Sequence, residues 1–224
     1  MLRFMFVGDS MTIGSAGEHT WRYRMWQHLR ATYGGPFKIV GPRETLHDPV
    51  TDAPTSYEYA EPGFPLAHLA GWGEGWFHMT PLIRETVKEQ RADVLLVSLG
   101  LIDLGFYTDA RQTDANVRLF VERAREANPR IRMALMPVIP NVRAQGDAPF
   151  ATSVADFNEL LAKAVADLDT ARSPLVLATP PASYDVDLDT YDGTHPNARG
   201  EHKVAEGFAT AMYEAWGLGE PYAA

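Results

Sequence analysis

The sequence predicts an α/β fold, a three-layer α/β/α sandwich around a central five-stranded parallel sheet. Short β-rich runs alternate with longer segments in which apolar residues recur at helical spacing, the pattern of repeated βα units. The strand-like runs are almost continuously apolar, which is typical of parallel strands covered by helices on both faces. Right-handed crossovers place those helices in a layer on each side of the sheet. The five predicted strands are residues 2–7, 37–40, 93–99, 131–138 and 175–179.

Four helices are predicted in the remaining segments, because apolar residues there repeat every three or four positions. Each such repeat forms a stripe that can pack against the sheet. The stripes are Trp21, Met25, Leu29 and Tyr33; Val117, Phe120, Val121 and Ala124; Val154, Phe157, Leu161, Val165 and Leu168; and Val204, Phe208 and Met212.

Two irregular segments interrupt the βα pattern. Residues 42–65 are rich in Pro, Asp, Thr and Tyr without a clear period, which predicts a long surface loop. Residues 137–149 follow the fourth predicted strand, and the carboxyl ends of parallel strands usually frame a ligand crevice. We therefore expect both segments to border a substrate pocket.

Length, charge and cysteine content narrow the functional classes. The 224 residues, 46% of them apolar, suit one α/β domain spanning residues 1–224. A net charge of −9 opposes a nucleic-acid partner. No apolar run is long enough to span a membrane and no signal-peptide pattern is present, so we expect a cytoplasmic protein, secreted only if a signal peptide has been removed. The absence of cysteine excludes disulfides, thiolate catalysis and cysteine-based metal sites.

A first motif lies at the end of the first predicted strand, in the run Phe-Val-Gly-Asp-Ser-Met-Thr-Ile-Gly over residues 6–14. Ser10 stands at a turn of small residues, where a hydroxyl is exposed at the carboxyl end of the strand. Gly8 allows close approach of the backbone, and the Ser10 N–H is placed to face a developing oxyanion. Asp and Ser also favour ordinary turns, and Asp9 is interpreted as a turn residue rather than an acid.

A second motif, Tyr-Asp-Gly-Thr-His-Pro-Asn over residues 191–197, precedes the last predicted helix. Asp192 and His195 are three positions apart on a turn, so their side chains can share one side of it. An activated serine needs an imidazole that takes its proton and a carboxylate that orients the imidazole. The alternative is a helix-entry loop with Asn197 as N-cap and His195 on the surface.

Together the two motifs resemble the SGNH/GDSL hydrolase family of lipases and esterases, whose first block carries Gly-Asp-Ser and whose last carries Asp-x-x-His. The resemblance implies the family's flavodoxin-like sandwich. It also implies that Ser10 is the nucleophile, His195 the general base and Asp192 its orienting partner. The implied activity is that of an esterase or deacylase which forms an acyl-Ser10 intermediate and needs no cofactor.

The family's second block contributes a glycine whose backbone N–H joins that of Ser10 in the oxyanion hole. Three alternating glycines in residues 67–75 fit this block. We favour Gly73, with Gly71 and Gly75 as alternatives because the register is ambiguous.

The family's third block, Gly-x-Asn-Asp, is changed in this chain. The sequence is Gly-Leu-Ile-Asp over residues 100–103, so Ile102 replaces the asparagine that donates to the oxyanion. Loss of one such donor costs about 2.7 to 4 kcal/mol of transition-state stabilisation. Trp72 and Asn141 are candidate substitutes. Asp103 is interpreted as a structural cap rather than a catalytic acid.

Metal dependence is not expected, because the remaining histidines show no ligand spacing such as His-Glu-x-x-His. The predicted substrate is a small-molecule ester or acyl compound, and no membrane partner is expected. Two alternatives stay open: an acyltransferase or cyclising enzyme, in which a substrate hydroxyl replaces water, and a binding protein that has kept the fold without catalysis. Retention of Ser10, Asp192 and His195 argues against the second.

Overall fold

A parallel sheet forms the centre of the protein in this computed structural model, which describes residues 1–61 and 63–223. The strands lie in the order β2 (Phe37–Ile39), β1 (Leu2–Gly8), β6 (Val94–Ser98), β7 (Arg132–Met136) and β8 (Leu175–Leu177), and every neighbouring pair is parallel. Residues 4–7 of β1 are fully buried although successive side chains point to opposite faces, so both faces of the sheet are covered. A further short strand, β5 (Leu69–Ala70), pairs in parallel with β1.

All five predicted strands are present, and the sheet holds a sixth that the sequence did not indicate. The additional strand β5 has only two residues and pairs with the end of β1, through Val7 with Leu69 and Gly8 with Ala70. So short a strand in a glycine-containing segment carries no detectable period. Its consequence is functional, because β5 brings the glycine segment to the carboxyl end of β1.

Helices cover the sheet in two groups, and four of them carry the predicted apolar stripes: α2 (Thr20–Thr32), α4 (Ala110–Ala127), α6 (Ala148–Leu168) and α8 (Ala198–Trp216). Helix α2 packs on α8, where Trp21 stacks on Phe208 at a centroid distance of 4.7 Å. Helices α3, α4 and α6 pack together, with Trp76 edge-on to Phe120. Further helices are α1 (Ser10–Ile13), α3 (Trp76–Gln90), α5 (Val142–Gly146) and α7 (Val186–Asp189).

The two segments predicted to be irregular contain regular structure. Residues 42–65 include an antiparallel pair, β3 (Leu46–Asp48) and β4 (Ala53–Ser56), although Pro62 lies outside the described residues. Residues 137–149 include α5 and the start of α6, because Asn141 and Asp147 accept hydrogen bonds from backbone N–H groups of the helices that they precede. Within residues 1–61 and 63–223, no helix is long and apolar enough to cross a membrane.

Candidate active site

Ser10 lies where the central strand turns directly into a short helix. It is the first residue of α1, and the Asp9 Oδ1 atom caps this helix by accepting the Met11 N–H at 3.0 Å. Gly8 is required at the turn, since a Cβ there would lie 2.0 Å from the Thr12 hydroxyl oxygen and 2.9 Å from the Ser98 carbonyl oxygen. Close packing thus presents the Ser10 side chain at the carboxyl edge of the sheet.

His195 and Asp192 meet Ser10 across 185 positions of the sequence. The Ser10 Oγ and His195 Nε2 atoms are 2.9 Å apart, and His195 Nδ1 lies 2.6 Å from Asp192 Oδ2. An ionised carboxylate can only accept, so Nδ1 carries the proton and Nε2 is free to accept from the serine hydroxyl. The expected hydrogen-bond reach between Ser10 and His195 is observed.

The Asp192 carboxylate is organised by its own loop. Its Oδ1 atom accepts the backbone N–H groups of Thr194 at 2.9 Å and His195 at 2.8 Å. Partial burial disfavours ionisation of Asp192, but the hydrogen bonds from His195 and Thr194 outweigh it and lower the pKa of this carboxyl. Asn197 caps α8, as the alternative interpretation of this segment proposed, while His195 still points at Ser10.

A stack of aromatic rings also holds the His195 imidazole. Its ring is nearly parallel to that of Trp72, with centroids 4.8 Å apart, and to that of Tyr191, at 5.6 Å. Trp72 stacks in turn on the buried His47 at 4.2 Å. The orientation of the imidazole therefore depends on packing as well as on Asp192. Sequence spacing gave no signal for this stack, because its members come from separate segments.

The three glycines considered for the oxyanion hole differ in their surroundings. The Gly71 N–H donates to the Gly8 carbonyl oxygen at 3.2 Å, and the Gly75 N–H donates to His78 Nδ1 at 3.1 Å. Gly73 has a φ of +72°, and it lines the cavity that contains Ser10. The geometry favours Gly73 because the other two N–H groups already have partners.

A cavity of about 330 Å³ opens at Ser10. Ile102 belongs to its wall, so the cavity presents an apolar side chain near Ser10. Both proposed substitutes, Trp72 and Asn141, also reach this wall. The lining residues are Ser10, Trp72, Gly73, Leu101, Ile102, Phe106, Asn141, Arg143, Thr194 and His195.

Asn141 already has structural partners, yet one donor remains. Its Oδ1 atom accepts the Ala144 N–H at 3.0 Å, and its Nδ2 atom donates to the Ile139 carbonyl oxygen at 3.1 Å. An amide carries two N–H donors, so the second is available beyond that bond. Three other tryptophans lie outside this cavity. Trp21 and Trp76 are core residues, and Trp26 lines a separate cavity.

Two buried carboxyl groups beside the site have structural roles. Asp103 caps α3 from another segment, with its two oxygens accepting the N–H groups of Trp76 at 2.8 Å and Phe77 at 2.9 Å. Burial raises the pKa of Asp103 against these hydrogen bonds. Burial likewise raises the pKa of Asp9 to about 7, and the nearby Asp103 acts in the same direction. Both residues fit the structural interpretation made from the sequence.

The raised pKa of Asp9 predicts a specific pH dependence of stability. Its pKa is 3.8 in the unfolded reference and about 7 when folded, so between these values the folded protein keeps a proton that the unfolded chain has released. The free energy of unfolding should therefore fall as the pH rises from about 4 to about 7, by ~4 kcal/mol from this group at roughly 1.4 kcal/mol per pKa unit.

Asp9→Asn should weaken this pH dependence, because it removes the titrating group and keeps an oxygen for the Met11 N–H. Urea unfolding between pH 4 and pH 7.5, followed by tryptophan fluorescence, measures the effect. Asp156→Asn, at an exposed position of α6, is the matched control. If the free energy of unfolding changes with pH equally in Asp9→Asn and in the wild type, the prediction is contradicted.

His68, which lies next to the glycine segment, has structural partners. His68 is buried, its Nε2 atom contacts the Thr45 carbonyl oxygen, and its Nδ1 atom accepts the Ala70 N–H. Burial, together with the positive charge of Arg22, lowers its pKa well below the usual value. Among the described residues, no three His, Asp or Glu side chains are grouped so that they could hold a metal ion.

Comparison with known proteins relates this geometry to described relatives. A multidomain esterase of Ruminococcus flavefaciens is 24% identical over 218 residues, which cover 92% of this chain; the chain spans only 28% of that relative. Two solved structures each align with a TM-score of 0.77 at 23% identity, covering 96% of this chain and 97% of the other. One is an acetyl esterase mutant with an acetate ion, and the other is a carbohydrate esterase family 3 protein from Talaromyces cellulolyticus.

A third solved structure, a family 3 carbohydrate esterase from Clostridium thermocellum, aligns with a TM-score of 0.73 at 17% identity and covers 95% of this chain and 96% of its own. At such identities the likeness concerns the fold. The sequence itself matches the model of the GDSL-like lipase/acylhydrolase family over residues 6–203, a range that includes Ser10, Asp192 and His195. The resemblance inferred from the two end motifs is confirmed, and the chain belongs to the GDSL-like lipase/acylhydrolase family.

Proposed function

We propose that the chain is a serine esterase that cleaves a small ester through an acyl-Ser10 intermediate. The observation that carries the proposal is the hydrogen-bonded chain from Ser10 through His195 to Asp192, with contacts of 2.9 and 2.6 Å, at the mouth of the cavity. These are the contacts that a nucleophile, a general base and an orienting carboxylate require. The catalytic machinery belongs to one domain, residues 1–224.

The reaction follows from this geometry. Ser10 Oγ attacks the ester carbonyl carbon while its proton passes to His195 Nε2, and the imidazolium is stabilised by the Asp192 carboxylate. The tetrahedral intermediate expels the alkoxide, which takes the proton from His195 and leaves as the alcohol. Water, deprotonated by His195, then attacks the acyl carbon, and the proton returns to Ser10 as the carboxylic acid departs.

The oxyanion hole consists of the backbone N–H groups of Ser10 and Gly73, modified by Ile102 where the family has asparagine. A cavity of about 330 Å³ suits a short acyl group or a small alcohol better than a long lipid chain. The structurally similar acetyl esterase, solved with an acetate ion, supports a short acyl group.

Labelling with a fluorophosphonate probe tests the proposal directly. The probe reacts with an activated serine, so mass spectrometry of the digested protein should find a single adduct on Ser10. An excess of an ester that the protein hydrolyses should slow the labelling, because it competes for Ser10. An adduct at another residue would contradict Ser10 as the nucleophile, and the absence of any adduct would favour a binding protein.

Ile102→Asn should raise ester hydrolysis by up to about two orders of magnitude, because it returns a donor to the oxyanion hole. The gain should appear in kcat, since this donor acts mainly in the transition state. Steady-state kinetics on an activated ester, with thermal unfolding measured alongside, provide the test.

Ile102→Leu is the matched control, because leucine has nearly the shape of asparagine and lacks the donor. A stable Ile102→Asn variant with unchanged kcat would contradict the proposal that the oxyanion hole lacks a donor at position 102. Asn141→Ser would then be informative, since serine can still cap α5 but has no amide to offer the oxyanion.

Acyl transfer to a substrate hydroxyl is the second candidate reaction. It is favoured by the apolar wall that Leu101 and Ile102 form, because their side chains offer no hydrogen bond to a hydrolytic water. The partition of product between acid and new ester, measured by mass spectrometry with added glycerol, separates the two reactions. A new ester formed in excess at low glycerol concentration would identify a transferase.

A further inference from the structure

We propose that Arg143 forms an anion-binding subsite beside Ser10, so that the preferred substrate is an ester carrying a carboxylate. This inference rests on the proposed esterase function and names the chemical class of its substrate. Arg143 is an exposed residue of α5, the helix that follows β7 at the carboxyl edge of the sheet, and it lines the same cavity as Ser10 and His195.

The charge of the cavity is the first argument. Arg143 is the only Lys or Arg among its described lining residues, and no Asp or Glu belongs to that lining. No carboxylate of the described residues forms an ion pair with Arg143, whereas many other arginines of the surface are paired. In a chain of net charge −9, the permanently charged side chain in the described lining of this cavity is thus a cation. Apolar walls strengthen the attraction of such a site for an anion.

The fixed position of the guanidinium is the second argument. Its central carbon lies 4.1 Å from the centroid of the Phe150 ring and 5.7 Å from that of Phe106, and Nη1 donates to the Gly105 carbonyl oxygen at 3.2 Å. One of five N–H donors is thus used, and the planar group is held in place by the two rings. A guanidinium arranged in this way can bind a carboxylate through two parallel hydrogen bonds.

A purely structural role of Arg143 predicts different kinetics from an anion-binding role. If Arg143 served only to cover Phe150, its replacement would lower stability and affect charged and neutral esters alike. If it binds an anion, its replacement changes the discrimination between them. The ratio of kcat/KM for a charged and a neutral ester of equal size therefore separates the two roles.

Two pairs of esters place the charge on either side of the scissile bond. The acetyl esters of 3-hydroxybenzoate and 3-hydroxybenzamide carry it on the alcohol, and the phenyl monoester of glutaric acid and its primary amide carry it on the acyl group. For one of these pairs, the charged-to-neutral ratio should fall by about 10- to 100-fold in Arg143→Met, mainly through a higher KM for the charged ester. Methionine keeps an apolar stem over Phe150.

Arg111→Met, at an exposed position of α4, is the matched control and should leave the ratio at its wild-type value. Equal ratios in the wild type and Arg143→Met for both pairs would overturn the anion subsite. So would an equal loss for charged and neutral esters accompanied by a lower Tm.

Direct binding distinguishes failure of the subsite from failure of the esterase. Calorimetric titration into Ser10→Ala should show binding of 3-hydroxybenzoate or of glutarate, and this binding should be at least tenfold weaker in the double variant Ser10→Ala/Arg143→Met. If the wild type hydrolyses no ester but this binding is present, the esterase proposal fails and the anion subsite stands. If esters are hydrolysed and neither acid binds in an Arg143-dependent manner, the subsite fails alone.

Discussion

Ser10→Ala should lower kcat for an activated ester by about four to six orders of magnitude without unfolding the protein. The side chain supplies the nucleophile, and without its oxygen no acyl-enzyme can form. Only the Oγ atom is lost, while the backbone that turns from β1 into α1 and the Asp9 cap stay intact. Steady-state kinetics measure the activity, and circular dichroism with thermal unfolding measures the fold.

Ser153→Ala on α6 is the matched control, since its hydroxyl bonds only to the preceding turn of its own helix. It should retain wild-type turnover. Turnover in Ser10→Ala within tenfold of the wild type would show that another group attacks the ester. Loss of the fluorophosphonate adduct in the same variant would link the kinetic and chemical evidence.

His195→Ala should be about as damaging as Ser10→Ala, whereas Asp192→Ala should cost less. His195 takes the proton from Ser10 and no other described base contacts that hydroxyl. The carboxylate orients and stabilises the imidazole, but Trp72 and Tyr191 also hold the ring, and the Asp192 side chain is 42% exposed, so water can occupy its place. Part of the orientation should therefore survive its removal.

The double variant His195→Ala/Asp192→Ala tests whether the two residues act together. Residues that act as one unit lose activity non-additively, so His195→Ala with Asp192→Ala should be no slower than His195→Ala alone. His202→Ala on α8, where the ring bonds to Tyr222, controls for loss of an imidazole elsewhere. If the two losses of activity multiply in the double variant, Asp192 and His195 do not act as one unit. Full activity in His195→Ala would show that His195 is not the general base.

Much of the fold could be predicted because its signals are local. Burial of a strand on both faces produces an apolar run such as residues 93–99, and burial of one helix face produces the stripe that contains Val117, Phe120 and Val121. Each signal lies within one element and requires no knowledge of its neighbours. The short elements β3, β4, β5 and α5 escaped this reasoning, because two to five residues show no period.

In the candidate site, too, some features were evident in the sequence and others required the tertiary structure. The order of the Gly-Asp-Ser and Asp-x-x-His motifs is a property of the sequence, as is the Gly-Leu-Ile-Asp run over residues 100–103. Only the tertiary structure brings His195 to Ser10 over 185 positions. Of the three glycines, it distinguishes Gly73, because the Gly71 N–H donates to the Gly8 carbonyl oxygen of β1 and the Gly75 N–H donates to His78 in the first turn of α3.

The sequence by itself determined the α/β class, the family and the residues capable of the chemistry, because each depends on residue type and on short spacing. The tertiary structure alone decided the stack of Trp72 on His195 and the position of Arg143 in the cavity. These features depend on distances between side chains from separate loops. Such distances are set by how β5, α5 and the segment before α8 pack at one edge of the sheet, and no local pattern records that packing.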